Sequence, residues 1–277
     1  METRRSQKDG FSLTEVLLAV ATLAVGMIFI AGAFPVALHF STEATERTIA
    51  AVVADEAFAK IRLIAAGPHP DDTNVPLVSD ANFWFGESSS FEIVVNNILS
   101  EPPASTRLDD NVFAYPSLDE VGPEGKSYFW SAICRRTRPD GEPASEIQAT
   151  VFVCRKVGMG GSYWFRNPNN HALSANDPYP GPIYFDVSRQ SASELVISDL
   201  VPAGEPDETT LINEGYMIVD SATGEIYRVL ERRVDNPAII VLDRPWQRGE
   251  PRRIWAVPAA GKTRYPCIAV YQKVMRF

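Results

Sequence analysis

The stretch GFSLTEVLLAVATLAVGMIFIAGAFPVALHF, residues 10–40, decides the architecture of this chain. Residues 16–40 contain no Asp, Glu, Lys or Arg, and only Thr22 and His39 among them are polar. As a helix, this segment would extend roughly 37 Å at about 1.5 Å per residue. Because a hydrocarbon core of about 30 Å needs about 20 apolar helical residues, the segment is expected to span a membrane.

The polar flank, METRRSQKDG at residues 1–10, carries three basic residues, Arg4, Arg5 and Lys8. Basic flanks stay on the cytoplasmic side, which predicts a cytoplasmic N-terminus and an external C-terminal bulk. A cleaved secretory signal would have a shorter apolar stretch that ends in a small-x-small site. One carboxylate, Glu15, lies at the border of the charge-free span, where a charge is costly and therefore calls for an explanation.

The border residues GFSLTEV, residues 10–16, resemble the class III signal of type IV pilins and pseudopilins. The resemblance implies that a prepilin peptidase cleaves between Gly10 and Phe11 and methylates the new N-terminus at Phe11. The apolar helix would then be retained as the core of a filament, with Glu15 as the fifth mature residue. Thr14 departs from the pattern, because this family more often has isoleucine there.

Glu15 has two interpretations. In the family interpretation, its carboxylate neutralises the N-terminal ammonium of a neighbouring subunit and sets the axial register during assembly. Opposite charges about 4 Å apart attract by a few kcal/mol at the dielectric of a protein surface. In the simpler interpretation, Glu15 lies at the start of a membrane anchor and is stabilised there by the helix dipole.

The helical pattern continues to about residue 66 and defines a stem over residues 11–66. Pro35 lies inside the span and is expected to kink the helix, because it leaves the carbonyl of Ala31 without a hydrogen-bond donor. Beyond residue 41 the pattern becomes amphipathic. The predicted buried face consists of Val53, Ala54, Ala57, Phe58, Ile61, Ile64 and Ala65. Gly67 and Pro68 end the helix.

From residue 67 the apolar period changes to two, which predicts β-strands. The candidate strands are residues 91–99, 127–136, 146–157, 183–187, 194–200, 216–220, 225–232, 238–242, 253–257 and 267–275. The turn sequences RPDGEP at 138–143 and DSATGE at 220–225 each predict a hairpin. Residues 158–182, rich in Gly, Asn and Pro, are predicted to form a long loop.

These patterns predict an α+β fold in which a long N-terminal helical stem packs on an antiparallel β-sheet head. The predicted organisation is a leader (1–10), the stem (11–66), a β-sheet head (67–182) and a second β region (183–277). The pattern leaves open whether residues 183–277 form a small β-barrel-like subdomain or continue the head. It also leaves open whether the final strand returns to the main sheet.

The net charge of −9 argues against a general nucleic-acid partner. An external location permits disulfides, and Cys134 and Cys154 lie on the two strands of the first predicted hairpin. A bond between them is one option, and buried free thiols are an equally ordinary one. Cys267 would be left over.

The chain offers little sign of catalysis or of a metal site. The string HPDD at residues 69–72 matches one found in zinc-dependent LmbE-like deacetylases, but it follows a helix stop and continues with Thr73. A turn that leaves the stem is the simpler interpretation. No nucleophile–base pair is visible, so no enzymatic activity, cofactor or metal is predicted.

The resemblance predicts a minor pilin or pseudopilin of a type IV pilus or a type II secretion pseudopilus. Its expected partners are the prepilin peptidase, other pilin or pseudopilin subunits and the bacterial inner membrane, with the head in the periplasm before assembly. The alternative is a single-pass anchored protein whose β head binds a ligand and whose stem is only a tether. The mature N-terminus distinguishes the two.

Overall fold

The computed structural model describes residues 12–66, 92–93, 113–116, 125–136, 146–157, 163–166, 173–177, 179–198, 206–247, 249–259 and 265–276. The chain divides into two compact units, Met1–Thr48 and Ile49–Phe277. A single helix, α1 (Leu13–Ala66), passes through the boundary between them. It covers residues 13–66 of the predicted stem (11–66), whose first residue, Phe11, lies outside the described part.

The first sheet of the head is antiparallel. Its strands are β1 (Glu92–Ile93), β2 (Ala114–Tyr115), β3 (Tyr128–Arg136), β4 (Glu146–Arg155) and β13 (Cys267–Arg276). The order is β1-β3-β4-β13, and β2 pairs with another part of β3. The hairpin of β3 and β4 is confirmed by its pairing from Arg136 opposite Ile147 to Tyr128 opposite Arg155.

The second half of α1 packs on one face of this sheet, within the unit Ile49–Phe277. Its buried side chains are Ala50, Val53, Ala54, Ala57, Phe58 and Ile61. They contact alternate residues of β3 and β4, including Trp130 and Val151, because every second side chain of a strand points to the same face. The predicted apolar face is therefore confirmed for the residues whose side chains the structure describes.

Six strands form a closed antiparallel barrel, in the order β10-β11-β8-β7-β12-β9. They are β7 (Ile183–Arg189), β8 (Glu194–Ile197), β9 (Met217–Asp220), β10 (Ile226–Arg232), β11 (Ile239–Leu242) and β12 (Arg253–Ala256). Alternate residues fill the interior, such as Phe185 and Val187 from β7 and Tyr227 and Val229 from β10. Closure leaves no edge strand in the barrel, which suits strands of only four to seven residues.

The barrel packs against the face of the first sheet that α1 does not cover. Val219, Trp255 and Val257 of the barrel region contact Phe152 and Ile133 in one buried cluster. In addition, Gln272 on β13 donates a hydrogen bond to the carbonyl of Gly224 at the end of the β9–β10 turn. The unit Ile49–Phe277 is thus layered as helix, sheet and barrel.

The structure answers both questions that the sequence left open: whether the second β region forms a barrel, and where the final strand pairs. Strands between residues 183 and 256 form the barrel. The final strand, β13, is not part of it and pairs along β4 in the first sheet. The DSATGE turn joins β9 and β10 as predicted, and Asp220 accepts hydrogen bonds from the backbone N–H groups of Ala222 and Thr223.

The sequence-based prediction for residues 158–182 was wrong. The expected long loop of residues 158–182 contains a small two-stranded antiparallel sheet, β5 (Tyr163–Arg166) and β6 (Leu173–Asp177). The strands are short, so their pattern was lost among the surrounding Gly, Asn and Pro residues. Tyr163 and Leu173 are buried, which stabilises this short hairpin against the head.

Candidate functional site

The first turn of α1 positions Glu15. The carbonyl of Ser12 accepts hydrogen bonds from the backbone N–H groups of Glu15 at 3.0 Å and of Val16 at 3.2 Å, which starts the helix. The hydroxyl groups of Ser12 and Thr14 lie 2.7 Å apart. Glu15 is exposed in this first turn, where the helix dipole favours a carboxylate.

The part of α1 between residues 16 and 40 has apolar side chains on all sides, and they are exposed. Among the described residues, α1 is the helix that is long and apolar enough to cross a membrane, and its most apolar window is 0% buried. Leu18, Ile28 and Phe29 each expose two thirds or more of their surface. Because such a helix is stable only where lipid or other helices cover it, the segment is compatible with a single-pass membrane anchor.

The two predicted processing residues, Gly10 and Phe11, lie outside the described part of the chain. Pro35 lies inside α1, which remains one helix on both sides of it. The kink at Pro35 and the roles of Gly10, Phe11 and Glu15 stay predictions.

The head contains a buried ion pair that the sequence did not indicate. Arg166, at the end of β5, places Nη2 2.7 Å from Oε2 of Glu208, and the two side chains are 3% and 0% exposed. Glu208 opens a 3₁₀ turn, Glu208–Thr210, which is capped by the side chain of Asp207. The pair therefore connects the small sheet β5–β6 to the segment that enters β9.

Tyr184 on β7 joins this pair to a second one. The guanidinium carbons of Arg166 and Arg253 lie 4.6 Å and 4.1 Å from its ring centroid. Arg253 also bonds to Asp186 at 3.0 Å. Burial raises the pKa of the Tyr184 hydroxyl, whereas the two guanidinium groups act in the opposite direction.

The chemistry of this cluster is charge neutralisation. Each carboxylate, Glu208 and Asp186, faces a guanidinium, so both negative charges of the cluster are paired within the protein. Among the described residues, no group of three or more His, Cys, Asp and Glu side chains could hold a metal ion. The HPDD string at residues 69–72 lies outside the described part.

The disulfide considered between Cys134 and Cys154 is not formed, and the strand register excludes it. Cys134 lies opposite Ala149, and Cys154 lies opposite Phe129, so the two are five positions apart along the hairpin. An odd separation also places them on opposite faces of the sheet. Cys134 accordingly packs under α1, whereas Cys154 packs towards the barrel. All three cysteines are buried free thiols.

The comparisons with known proteins add no assignment. No family model matches the chain, and none of the curated proteins compared with it gives a significant match.

The sequence analysis missed two side-chain pairs. One is Arg166 with Glu208, and the other is Cys154 with Cys267, which lie directly opposite each other on β4 and β13. No local pattern marks either pair, because each depends on the pairing of segments far apart in the sequence. Cys154 and Cys267 both lie in predicted strands, which was the only sequence signal for this pair, and it becomes informative only when β13 is known to lie beside β4.

Proposed function

We propose that this chain is a prepilin-like subunit, a minor pilin or pseudopilin of a type IV pilus or a type II secretion pseudopilus. It is held in the bacterial inner membrane by α1, with its head in the periplasm. A prepilin peptidase cleaves it between Gly10 and Phe11 and methylates Phe11. Other pilin or pseudopilin subunits then take it up into a filament, and the chain performs no catalysis itself.

The observation that carries this proposal is the composition of α1 from Leu13 to Phe40. A plain membrane anchor needs an apolar span, but it has no need for a carboxylate at residue 15. A filament core needs both, because its helices cover one another and its buried N-termini are cationic. The exposed apolar side chains of α1 between Leu13 and Phe40 support the proposal that neighbouring helices replace lipid around this segment during assembly.

The energetic role of Glu15 follows from simple electrostatics. An ammonium about 4 Å from a carboxylate is attracted by about 4 kcal/mol at an effective dielectric constant of about 20. This attraction offsets part of the cost of moving both charges out of water when helices pack together. It also acts only when one subunit has the correct axial position relative to the next, so it selects the register.

A single-pass tether with a ligand-binding head is the competing function. The barrel and sheet form one layered unit beyond the span, as a membrane-anchored binding domain would. This alternative predicts that the chain keeps Met1 and stays in the membrane.

The deciding experiment is mass spectrometry of the N-terminal peptide, from protein purified out of its native host. The proposal predicts a peptide that starts at Phe11 and carries one extra methyl group. Gly10→Val is expected to block the cut, because it alters the residue after which the peptidase cleaves. An intact Met1 in the wild-type protein would overturn the proposal and support the tether.

Assembly is tested separately by the share of the subunit found in sheared or purified filaments. Glu15→Gln should be cleaved normally but lost from filaments, whereas Glu15→Asp should keep partial incorporation because it retains the charge. Asp55→Asn is the matched control, since it removes an exposed carboxylate from the same helix outside the apolar span. Wild-type incorporation of Glu15→Gln would contradict the role given to Glu15.

A further inference from the structure

We propose that Cys154 and Cys267 form a disulfide that fixes the last strand of the head, β13, to β4. In the structure both are free thiols, and they occupy directly opposite positions in the antiparallel ladder. The inference concerns a covalent modification of the head and goes beyond the proposed filament role. It shares with that role only the placement of the head outside the cytoplasm.

The register supplies the geometry for this bond. The N–H of Arg155 donates to the carbonyl of Pro266 at 2.9 Å, which holds the start of β13 beside the end of β4. Cys154 and Cys267 are the next partners in the register, and an irregularity in the pairing follows them between Cys267 and Ala269. Residues directly opposite each other in an antiparallel pair have Cα atoms about 4.5–5.5 Å apart. Disulfides require Cα separations of about 4.4–6.8 Å.

The side chains also point to the same place. Cys154 and Cys267 belong to one buried cluster between the sheet and the barrel, and the neighbouring Cys267 side chain adds to the burial that raises the pKa of the Cys154 thiol. Cys267 is 5% exposed and Cys154 is fully buried. Cys134 lies on the opposite face of the sheet, under α1, and cannot compete for either partner.

The chemistry is thiol–disulfide exchange with an external disulfide as the oxidant, such as oxidised glutathione or a protein thiol–disulfide oxidant. One cysteine thiolate attacks the oxidant and releases a thiolate, which leaves a mixed disulfide. The second cysteine thiolate displaces the remaining half of the oxidant. The two protein thiols lose two protons and two electrons, and the oxidant is reduced to two thiols.

Burial determines when the bond can form. Desolvation raises the pKa of the Cys154 thiol well above its ordinary value, so the folded protein contains very little reactive thiolate at this position. We therefore expect oxidation while β13 is docking on β4 and resistance to reductant afterwards. The bond would close the chain over residues 155–266, which include every barrel strand, and would limit the freedom of the unfolded chain.

The test uses the full chain, purified in detergent, unfolded in denaturant with reductant, and refolded in a glutathione redox buffer. Acid quenching, alkylation and digestion without reduction are followed by mass spectrometry. The expected product is a peptide pair linked through Cys154 and Cys267, with Cys134 alkylated. The oxidised protein should also unfold at least about 5 °C above its reduced form.

Matched variants separate the three thiols. Cys134→Ser should keep the linked peptide, whereas Cys267→Ser should lose it and leave Cys154 alkylated. Peptide mapping of the wild-type chain remains decisive if a variant fails to fold. Alkylation of both Cys154 and Cys267 after refolding, or a link through Cys134, would overturn the proposal.

The same peptide mapping, applied to cells whose thiols are alkylated before lysis, tests whether the head lies in an oxidising compartment. A linked pair in the native host supports both the bond and the external head. A pair that links in glutathione buffer but is reduced in cells supports the bond and overturns the proposed location of the head. Cleavage and methylation at Phe11 are measured independently, so failure of the filament proposal is distinguishable from failure of the bond.

Discussion

Replacing Glu208 by glutamine should destabilise the head strongly, although the two side chains have nearly the same shape. The substitution leaves the guanidinium of Arg166, which is 3% exposed, without its carboxylate partner at 2.7 Å. Removing one member of a buried ion pair costs about 3–5 kcal/mol, because the remaining charge stays desolvated and uncompensated. For a unit of this size, such a loss corresponds to a fall in the melting temperature on the order of 10 °C.

The assay is thermal unfolding of the full chain in detergent, followed by tryptophan fluorescence. Trp255 is a suitable reporter, because its ring packs edge-on against Tyr184 at 5.6 Å and Tyr184 contacts Arg166. The double variant Arg166→Met with Glu208→Leu should recover most of the lost stability, since an apolar pair of similar volume leaves no buried charge.

The ion pair of Glu194 with Arg233, whose side chains are 18% and 46% exposed, provides the more solvent-accessible control. Glu194→Gln removes a carboxylate that is hydrogen-bonded to Arg233 near the surface, so its effect on the melting temperature should be small. An unchanged melting temperature in Glu208→Gln would refute the reasoning. A double variant as unstable as the sum of its two single variants would refute it equally, because the loss would then not arise from an unpaired charge.

Two further predictions concern the packing of α1 and the barrel interior. Ala57→Asp places a charge against the sheet at a fully buried position and should lower the free energy of unfolding by about 3 kcal/mol or more. The matched variant Ala51→Asp, at an exposed position of the same helix, should leave the free energy of unfolding nearly unchanged. Equal denaturation midpoints for the two variants would contradict the packing of α1 on the sheet. Burial first, and then the hydrogen bond to Glu225, raise the pKa of Tyr227 to about 12. The folded state therefore holds the proton of the Tyr227 hydroxyl more tightly than the unfolded state does. The stability that this difference contributes should be lost as the pH rises from about 10 to 12. Tyr227→Phe should flatten that part of the pH profile of denaturation, and an identical slope would count against the shift.

The local sequence determined those elements whose cause is local. The charge-free run of residues 16–40 predicted one long apolar helix, because side chains of this kind are stable only in lipid or against other helices. The apolar positions Val53, Ala57 and Ile61 marked the face that packs on the sheet. Strand alternation and the DSATGE turn located most strands of the head for the same reason, because the period of two reports one buried face.

Tertiary structure decided whatever depends on which segments become neighbours. Only the pairing of β13 with β4 brings Cys267 opposite Cys154 and separates Cys134 from both. Only the tertiary packing of β5, which lies in a stretch predicted to be a loop, brings Arg166 within reach of Glu208. Short-range patterns encode burial and backbone conformation, whereas partner choice depends on the free energy of packing segments far apart along the chain.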